Sequence, residues 1–482
     1  MPIPIPIPTP RRIRLQSIHL SSYKKTMNFH TSGCAPSRMG DWSHRAVWHI
    51  ALALLASRLL LAGFAVRLQD YDGPRYLQEA LNMIHYGTFS GLQSDHPIPE
   101  AHDLPVYPLV LAGLILVFKN LWMVARAAAV LNAIAFTLAA VELYGLVILA
   151  GGTKRVAAWA MMLFGLFPEN LPYSIVYMPD SMFLAAFLAS LLCTARYLIE
   201  PRPARLCWAF GLLGVSVLLR PISLFFAAIV IAAICFGYRR RAVLWRPVAL
   251  ALTGGLLLEA AVCSPWLVRN YLTFGALSVS TITGTNLFWY NYRYMLLDKG
   301  MSPEAVDSLL AAQLKRTEQM LGSDNNPIIL ANALQKLVVS EIIADPLAYA
   351  RTVVKRHPRM YEGTAALELL DMLSTVPHAH GDPLAPVYAK HRALRPLQVL
   401  LSALLCLLYG MTIWGAVVLV RRRMWRPLLL AAVPILYFAA IYGPVTSSRY
   451  RSVMTPFFAI VAGFAALDKA AGDGTVRRSE AP

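Results

Sequence analysis

An acidic and aromatic run with one arginine lies directly after the first long apolar stretch of the chain. Its polar members are Asp70, Asp72, Arg75 and Tyr76. A carboxylate can take a proton from a hydroxyl or an amine, and an arginine can hold phosphate through paired donors. Because charge at the end of a membrane span is costly, the run predicts a site that handles a polar group at the membrane edge. The alternative is an ordinary helix end with capping aspartates.

Residues of the same types recur at the ends of later apolar runs. Those expected on the same side of the membrane as Asp72 are Glu169, Asp180, Arg220, Arg269, Asn270, Tyr271, Arg449 and Tyr450. Carboxylates and arginines at one depth of a membrane suit chemistry on a lipid phosphate. The alternative is that these arginines extend to the interface, as in many membrane proteins.

Composition indicates an integral membrane protein with helical spans. The chain has 482 residues, of which 57% are hydrophobic and 15% are charged, and its mean hydropathy is +0.52. The net charge of +18 is concentrated between apolar runs, so it indicates topology and contact with anionic lipid rather than nucleic acid. The six cysteines show no CxxC spacing, which argues against a disulfide framework or a zinc knuckle.

The apolar runs and the basic clusters between them predict an all-α polytopic protein with about ten transmembrane helices. The predicted spans are 46–68, 121–150, 155–172, 180–199, 206–220, 222–238, 243–268, 397–420, 427–443 and 451–468. The run 105–118 is too short to cross upright, so we expect a helix on the outer membrane surface there. With a basic N-terminus inside, both termini are expected to be cytoplasmic.

These spans divide the chain into five predicted parts. They are a disordered basic cytoplasmic tail (1–45), a transmembrane core with its outer loop 69–120 (46–268), a large extracytoplasmic segment that is mainly helical (269–396), C-terminal transmembrane helices (397–468) and a cytoplasmic tail (469–482). Translation could begin at Met1, Met27 or Met39.

Short motifs follow one another along the chain in a characteristic order. They are Asp72 with Tyr76, Pro179-Asp180, Arg220-Pro221, Pro265-Trp266 with Arg269-Asn270-Tyr271, Gly284 with Asn286, and Arg449-Tyr450. In this order, over about 46–468, the chain resembles the type-C membrane glycosyltransferases of the protein O-mannosyltransferase-like and aminoarabinose-transferase-like group. The group commonly has a glutamate where this chain has Gly73. Asp70 could supply the second carboxylate instead.

The resemblance implies transfer of a sugar from a polyprenyl-phosphate carrier to an extracytoplasmic lipid, glycan or protein, with inversion. It implies Asp72 as the general base and Asp180 as a second acid that orients acceptor or sugar. Arg269 and Arg449 are the main candidates for the phosphate clamp. The other implied substrate-binding candidates are Asp70, Arg75, Tyr76, Glu169, Arg220, Asn270, Tyr271, Asn286, Arg293, Lys299 and Tyr450.

No cofactor is required by this chemistry, and a divalent metal is possible but not indicated. His378, His380 and Asp382 have a spacing seen in metal sites, although a solvated loop is the more common explanation. A second polar group, His96, Glu100, His102 and Asp103, could line the mouth of the cleft or form an ordinary loop.

Two other functions remain open at this stage. One is a carrier or flippase for polyprenyl lipids. The ionisable residues argue against this function, because they lie at span ends rather than at span centres. The other is a catalytically degenerate subunit of a polysaccharide-assembly system, which Gly73 favours. The expected location is the bacterial inner membrane, with the site on the extracytoplasmic face.

Overall fold

The computed structural model describes residues 44–68, 72–240, 245–322, 326–373, 394–445 and 447–467. Asp70 and the run from His378 to Asp382 lie outside the described residues, as do both predicted tails apart from the start of the first helix. All regular elements in the described ranges are helices, as the predicted fold class requires.

The described residues of the N-terminal half form ten α-helices. They are α1 (His44–Phe64), α2 (Gly73–Tyr86), α3 (Val106–Phe118), α4 (Leu121–Leu149), α5 (Lys154–Leu166), α6 (Asn170–Tyr173), α7 (Asp180–Ile199), α8 (Pro203–Leu219), α9 (Phe226–Tyr238) and α10 (Trp245–Phe274). The predicted surface helix is α3, a separate short helix that packs against α2 and α4. Helix α10 continues past the predicted domain boundary at 268.

The segment that follows is helical, as expected. It contains α11 (Ile282–Asn286), a π-helix (Leu287–Tyr292), α12 (Arg293–Asp298), α13 (Pro303–Leu321), α14 (Pro327–Ala344), α15 (Pro346–Arg356), a 3₁₀ turn (His357–Tyr361) and α16 (Ala366–Leu373). We call this part the outer segment. The last described helices are α17 (Leu394–Arg421), α18 (Trp425–Tyr442), α19 (Ser448–Ser452) and α20 (Thr455–Phe464).

Within the described residues, eight helices are long and apolar enough to cross a membrane. They are Ala46–Phe64, Leu121–Leu149, Asp180–Ile199, Pro221–Tyr238, Trp245–Phe274, Pro327–Ala344, Arg395–Arg421 and Trp425–Tyr442. The predicted spans near 155–172, 206–220 and 451–468 correspond to the shorter helices α5, α8 and α20.

Pro327–Ala344 has the composition of a span but lies within the predicted outer segment. Its buried Leu334 and Val338 pack in a small core with Phe288, Val306 and Leu310. Neighbouring helices of the outer segment therefore bury part of its apolar surface.

Small residues allow the helices of the main core to approach closely. Helix α4 buries Ala129, Ala133 and Ala140, and Gly415 of α17 lies against the backbone of α20. A Cβ atom at Gly415 would come within 1.9 Å of the Val461 carbonyl oxygen. Close backbone contact of this kind is how helices associate inside membranes.

Candidate functional site

Asp180 is placed by a turn that is held by α4 and by the segment after α1. Asn132 of α4 donates its side-chain amide to the carbonyls of Val176 and Met178, at 2.6 and 3.2 Å. The amide of Tyr177 donates to the Leu68 carbonyl at 3.1 Å. The start of α7, and with it Asp180, is thereby fixed beside the end of the first helical stretch.

Asp72 precedes the first residue of α2. Proline in the first turn suits a helix start because its missing N–H would be unpaired there, and Pro74 occupies that turn. The Asp72 carbonyl accepts from Tyr76 at 3.0 Å, but its carboxylate makes no capping hydrogen bond. The carboxylate is therefore free to pair elsewhere.

Arg449 joins the two aspartates. Its Nη1 lies 2.5 Å from Asp72 Oδ2, and its Nη2 lies 3.2 Å from Asp180 Oδ2. Arg220 pairs with the other oxygen of Asp180. We call Asp72, Asp180, Arg220 and Arg449 the paired cluster, in which two carboxylates balance two guanidinium groups.

The paired cluster has an accessible end and a buried end. The Asp72 side chain is 47% exposed, whereas that of Asp180 is 2% exposed. The arginine side chains are 9% exposed for Arg220 and 11% for Arg449. A ligand arriving from outside would therefore meet Asp72 first.

The charge of Arg449 controls the ionisation of Asp72. Burial by itself would raise the pKa of Asp72. The charge and hydrogen bond of Arg449, together with the charges of Arg220 and Arg75, outweigh burial, so the pKa of Asp72 lies below its usual value. Asp72 is consequently ionised at neutral pH and can accept a proton or a hydrogen bond.

Tyrosines surround the paired cluster. Tyr76 is buried, and its ring meets that of Tyr107 edge-on at 5.6 Å. Burial, followed by the charge of Asp103, raises the pKa of Tyr76 well above its usual value, so its hydroxyl stays neutral. The Arg220 guanidinium lies 6.0 Å from the centre of the Tyr450 ring, which also packs on Tyr442.

A second group of charges surrounds Arg75. The Arg75 guanidinium lies 3.0 Å from Asp103, 3.4 Å from Glu100 and 3.8 Å from Glu79. Two members, Glu100 and Asp103, belong to the polar group for which the sequence left two alternatives, the mouth of a cleft or an ordinary loop. Glu79 was missed, although its position four residues after Arg75 on α2 predicts the pairing. Burial, followed by the charge of Asp103, raises the pKa of the fully buried Glu79.

Arg269 lies at a groove next to these charges. It donates to the Glu100 carbonyl at 2.7 Å and to Asn270 Oδ1 at 2.8 Å. Its guanidinium also lies 5.0 to 5.6 Å from the centres of three aromatic rings, Phe89, Trp266 and Phe274. The groove has a volume of about 570 Å³ and a mostly apolar wall, including Met83, Phe89, Leu109, Leu218, Trp266 and Arg269.

Several candidates from the sequence lie outside the paired cluster. Glu169 is fully buried and binds Arg451. Arg293 binds Asp307, and Lys299 binds Asp345, both within the outer segment.

The remaining candidates occupy the groove side and the outer segment. Asn270 is buried and donates to the Ser278 carbonyl, whereas the Tyr271 side chain beside it is exposed. Asn286 ends α11, which packs on α14.

Comparison with known proteins was informative only at the level of structure. No family model matches the chain, and no curated protein matches it. The structure is similar to the Archaeoglobus fulgidus oligosaccharyltransferase in its apo form, with 17% identity, a TM-score of 0.48, and coverage of 89% of this chain and 51% of that one.

Two further solved structures are similar. ArnT from Cupriavidus metallidurans bound to undecaprenyl phosphate matches at 14% identity and a TM-score of 0.40, covering 89% of this chain and 79% of that chain. The arabinosyltransferase EmbB from Mycobacterium smegmatis matches at 16% identity and a TM-score of 0.37, covering 92% of this chain and 44% of that chain. The chain thus spans about half the length of the oligosaccharyltransferase.

The departure at Gly73 has a steric explanation in the structure. A Cβ atom on Gly73 would lie 3.1 Å from Cε2 of the Tyr177 ring and 3.4 Å from the Tyr177 carbonyl oxygen. The Cβ of any side chain at this position would therefore press on the Tyr177 ring, which would have to shift by a few tenths of an ångström. The carboxylates of Asp72 and Asp180 share one partner, Arg449.

The sequence did not predict the structural environment of two residues, Tyr290 and Arg451. Tyr290 lies on the π-helix, is 41% exposed, and has a raised pKa caused by burial and then by the neighbouring Tyr450 and Asp72. Single π-turns often occur at functional sites, but nothing in the local sequence predicts one here. Arg451 is two residues after Arg449, and its partner Glu169 is far away in the chain.

The described residues contain no group of three or more His, Cys, Asp or Glu side chains placed to hold a metal ion. Among them, the acidic residues nearest the paired cluster are engaged with arginines.

Proposed function

We propose that this integral membrane protein transfers a sugar from a polyprenyl-phosphate carrier to an extracytoplasmic lipid, glycan or protein. The observation that carries this proposal is the half-exposed carboxylate of Asp72 bound to Arg449, which also binds the buried Asp180. A base at the accessible end and a guanidinium directly behind it suit attack on a carbon that bears a phosphate leaving group.

In the proposed reaction, Asp72 accepts the proton of the acceptor nucleophile as that atom attacks the anomeric carbon. The bond between this carbon and the phosphate oxygen breaks, and its electron pair leaves with polyprenyl phosphate. Attack opposite the leaving group inverts the configuration. Arg449 stabilises the charge that develops on the phosphate, because a guanidinium presents several donors to its oxygens.

Donor binding would also prepare the base. While Arg449 is paired with Asp72, it holds the pKa of this carboxyl low, which weakens Asp72 as a base. A phosphate that shares the Arg449 donors would loosen this pair. The basicity of Asp72 would then rise only when the donor is in place.

The apolar groove beside Arg269 is the proposed site for part of the prenyl chain. Its wall combines Met83, Leu109 and Leu218 with a guanidinium, which matches a hydrocarbon chain that ends in a phosphate. Glu100 connects the two parts of the site, because its carbonyl accepts from Arg269 and its carboxylate pairs with Arg75.

For the orientation, we propose an extracytoplasmic site and cytoplasmic termini in a bacterial inner membrane. The support is the distribution of basic residues, such as the cluster Arg421-Arg422-Arg423, at the ends opposite to the paired cluster in the predicted topology. Introduced cysteines test this orientation. An impermeant thiol reagent should label Arg316→Cys in intact cells and should not label Arg422→Cys.

The direct test uses the purified full-length protein in lipid vesicles with a labelled polyprenyl-phosphate sugar and a panel of lipid, glycan and peptide acceptors. Transfer by the wild type, and its loss in Asp72→Asn, would support the proposal. Movement of the labelled lipid across the vesicle membrane without transfer would favour the carrier alternative. Donor binding with neither transfer nor movement would favour the degenerate subunit.

A further inference from the structure

The helix that carries Arg449 is too short to set its own orientation. Helix α19 has five residues, Ser448–Ser452, and isolated helices of this length are not stable in water. Residues two apart on a helix differ in direction by roughly 200°, so Arg449 and Arg451 point to opposite sides. Arg449 faces the paired cluster, and Arg451 faces away from it.

The Arg451 guanidinium donates hydrogen bonds to a carboxylate and to two backbone carbonyls. Its Nε and Nη2 lie 2.5 and 2.8 Å from the two oxygens of Glu169. Its Nη1 and Nη2 also donate to the carbonyls of Met360 and Gly363, at 3.0 and 2.6 Å. Neither charged side chain has any exposed surface.

The partner of Arg451 is itself anchored. Glu169 precedes α6, and the next residue, Asn170, donates to the Phe164 carbonyl at 2.7 Å and to Thr455 Oγ1 at 3.0 Å. These bonds tie the Glu169 turn to α5 and to the start of α20. The carboxylate thus offers a fixed reference point for Arg451.

The 3₁₀ helix of the outer segment and the turn after it contact Arg451 and its helix. Met360 and Gly363 supply the two carbonyls, and a Cβ atom on Gly363 would lie 3.1 Å from the Cβ of Ser448. His357 is within hydrogen-bonding distance of the Gly443 carbonyl, at 2.7 Å. The outer segment and the Arg449 helix therefore share one attachment point.

We propose that Arg451 and Glu169 are positioning residues, which orient Arg449 toward the donor phosphate and connect it to the outer segment. A buried ion pair contributes little to stability compared with a well-packed apolar pair, but its paired donors fix direction. The inference rests on the proposed function, because it takes the donor phosphate as the group toward which Arg449 is oriented.

The test replaces the ion pair by the apolar pair Glu169→Leu with Arg451→Met in the full-length protein. Because both charges are removed together, the variant should fold. Its affinity for polyprenyl phosphate should fall roughly tenfold, as expected when one charge-assisted contact is misaligned. The kcat should change less than the donor KM. Arg451→Lys keeps the charge but loses the paired N–H donors of the guanidinium, so it should show an intermediate loss of donor affinity. This variant provides the test if the double variant does not fold.

Two comparisons separate positioning from general stability. In an Arg449→Ala background, the apolar pair should cause no further loss of donor affinity, because it acts through Arg449. The matched control is Asp298→Leu with Arg356→Met, another bidentate pair, which joins α12 to α15 and also includes Lys355. This control should keep the donor affinity of the wild type.

Unchanged donor affinity in the apolar variant, or an equal loss in the Arg449→Ala background, would overturn the inference. Failure of the wild type to bind polyprenyl phosphate would instead overturn the proposed function. Amide hydrogen exchange across 447–453 then still tests the orienting role. It should be faster in the apolar variant than in the wild type, and equal rates would refute that role.

Discussion

Asp72 and Arg449 lie 377 positions apart in the chain and form an ion pair of 2.5 Å. One comes from the first outer loop and the other from the short helix before α20. The pair therefore exists only when the N-terminal and C-terminal helices are assembled. Its open side belongs to Asp72, whereas Asp180 and Arg220 close the other side.

The first prediction concerns the base. Asp72→Asn should lower kcat by about 10²–10⁴-fold, the usual effect of losing a general base. Folding should be retained because Asp72 is half exposed and Arg449 keeps Asp180 as a partner. Initial rates with a labelled donor measure the loss, and unfolding in detergent checks the fold.

The matched control for this change is Asp95→Asn, an exposed aspartate of the same outer loop. It should transfer sugar at the wild-type rate. If Asp72→Asn turned over normally while Asp70→Asn did not, Asp70 would be the base.

The second prediction distinguishes the two aspartates by stability. Asp180→Asn should reduce the free energy of unfolding by about 3–5 kcal/mol, because it leaves Arg220 and Arg449 without their buried counter-charge. The lowered unfolding temperature of the purified protein would show this. An Asp180→Asn protein as stable as Asp72→Asn would mean that the buried pairs contribute nothing.

The third prediction follows from the lowered pKa of Asp72. Arg449→Gln removes the main partner but leaves burial, so the pKa of Asp72 should rise. Since Asp72 must be ionised to act as a base, the acid limb of the kcat/KM profile should move to higher pH. Donor binding should also weaken by about 1.5–3 kcal/mol.

The control for this profile is Arg316→Gln, an exposed arginine of the outer segment, which should leave both the acid limb and donor binding unchanged. An unmoved acid limb in Arg449→Gln would show that another group controls the pH dependence.

The long apolar runs made most of the membrane helices predictable. A span requires about 20 apolar residues, and α4, α7 and α10 contain such runs. Asp72, Asp180 and Arg449 were predictable as a group because carboxylates and arginines recur at the ends of several apolar runs. Their pairing was not, because it depends on how distant helices pack.

The ion-pair partners of individual charged residues were not predictable from the sequence. Arg293 and Lys299 were further candidates for binding phosphate, after Arg269 and Arg449, and in the structure they pair with Asp307 and Asp345. Arg451 and Glu169 pair across 282 positions. The π-helix at Tyr290 packs on α14, which is distant in sequence, and has no signature in the local sequence.

The fourth prediction tests the steric account of Gly73. Gly73→Glu should destabilise the protein and reduce transfer, because its Cβ meets the Tyr177 ring at 3.1 Å. Adding Tyr177→Ala should restore part of the stability by opening this space. Unfolding temperatures of the two single variants and the double variant form the cycle. Strictly additive effects would contradict contact between the two side chains.

The last prediction concerns Glu79, which faces Arg75, Glu100 and Asp103 in the second group of charges. Its folded pKa is raised above the usual 4.5 by burial and then by Asp103. Above pH 4.5 the unfolded chain loses this proton while the folded protein keeps it, so the free energy of unfolding should fall as the pH rises. The slope reaches at most about 1.4 kcal/mol per pH unit for one proton.

Glu79→Gln should flatten this slope, because an amide has no proton to lose in either state, and the variant should exceed the wild type in stability at about pH 8. Unfolding in detergent across a pH series measures both effects. Glu318→Gln, an exposed glutamate on α13, should keep the wild-type slope. If Glu79→Gln and Glu318→Gln showed the same slope, Glu79 would be ionised in the folded protein, and Arg75 would have to balance three carboxylates rather than two.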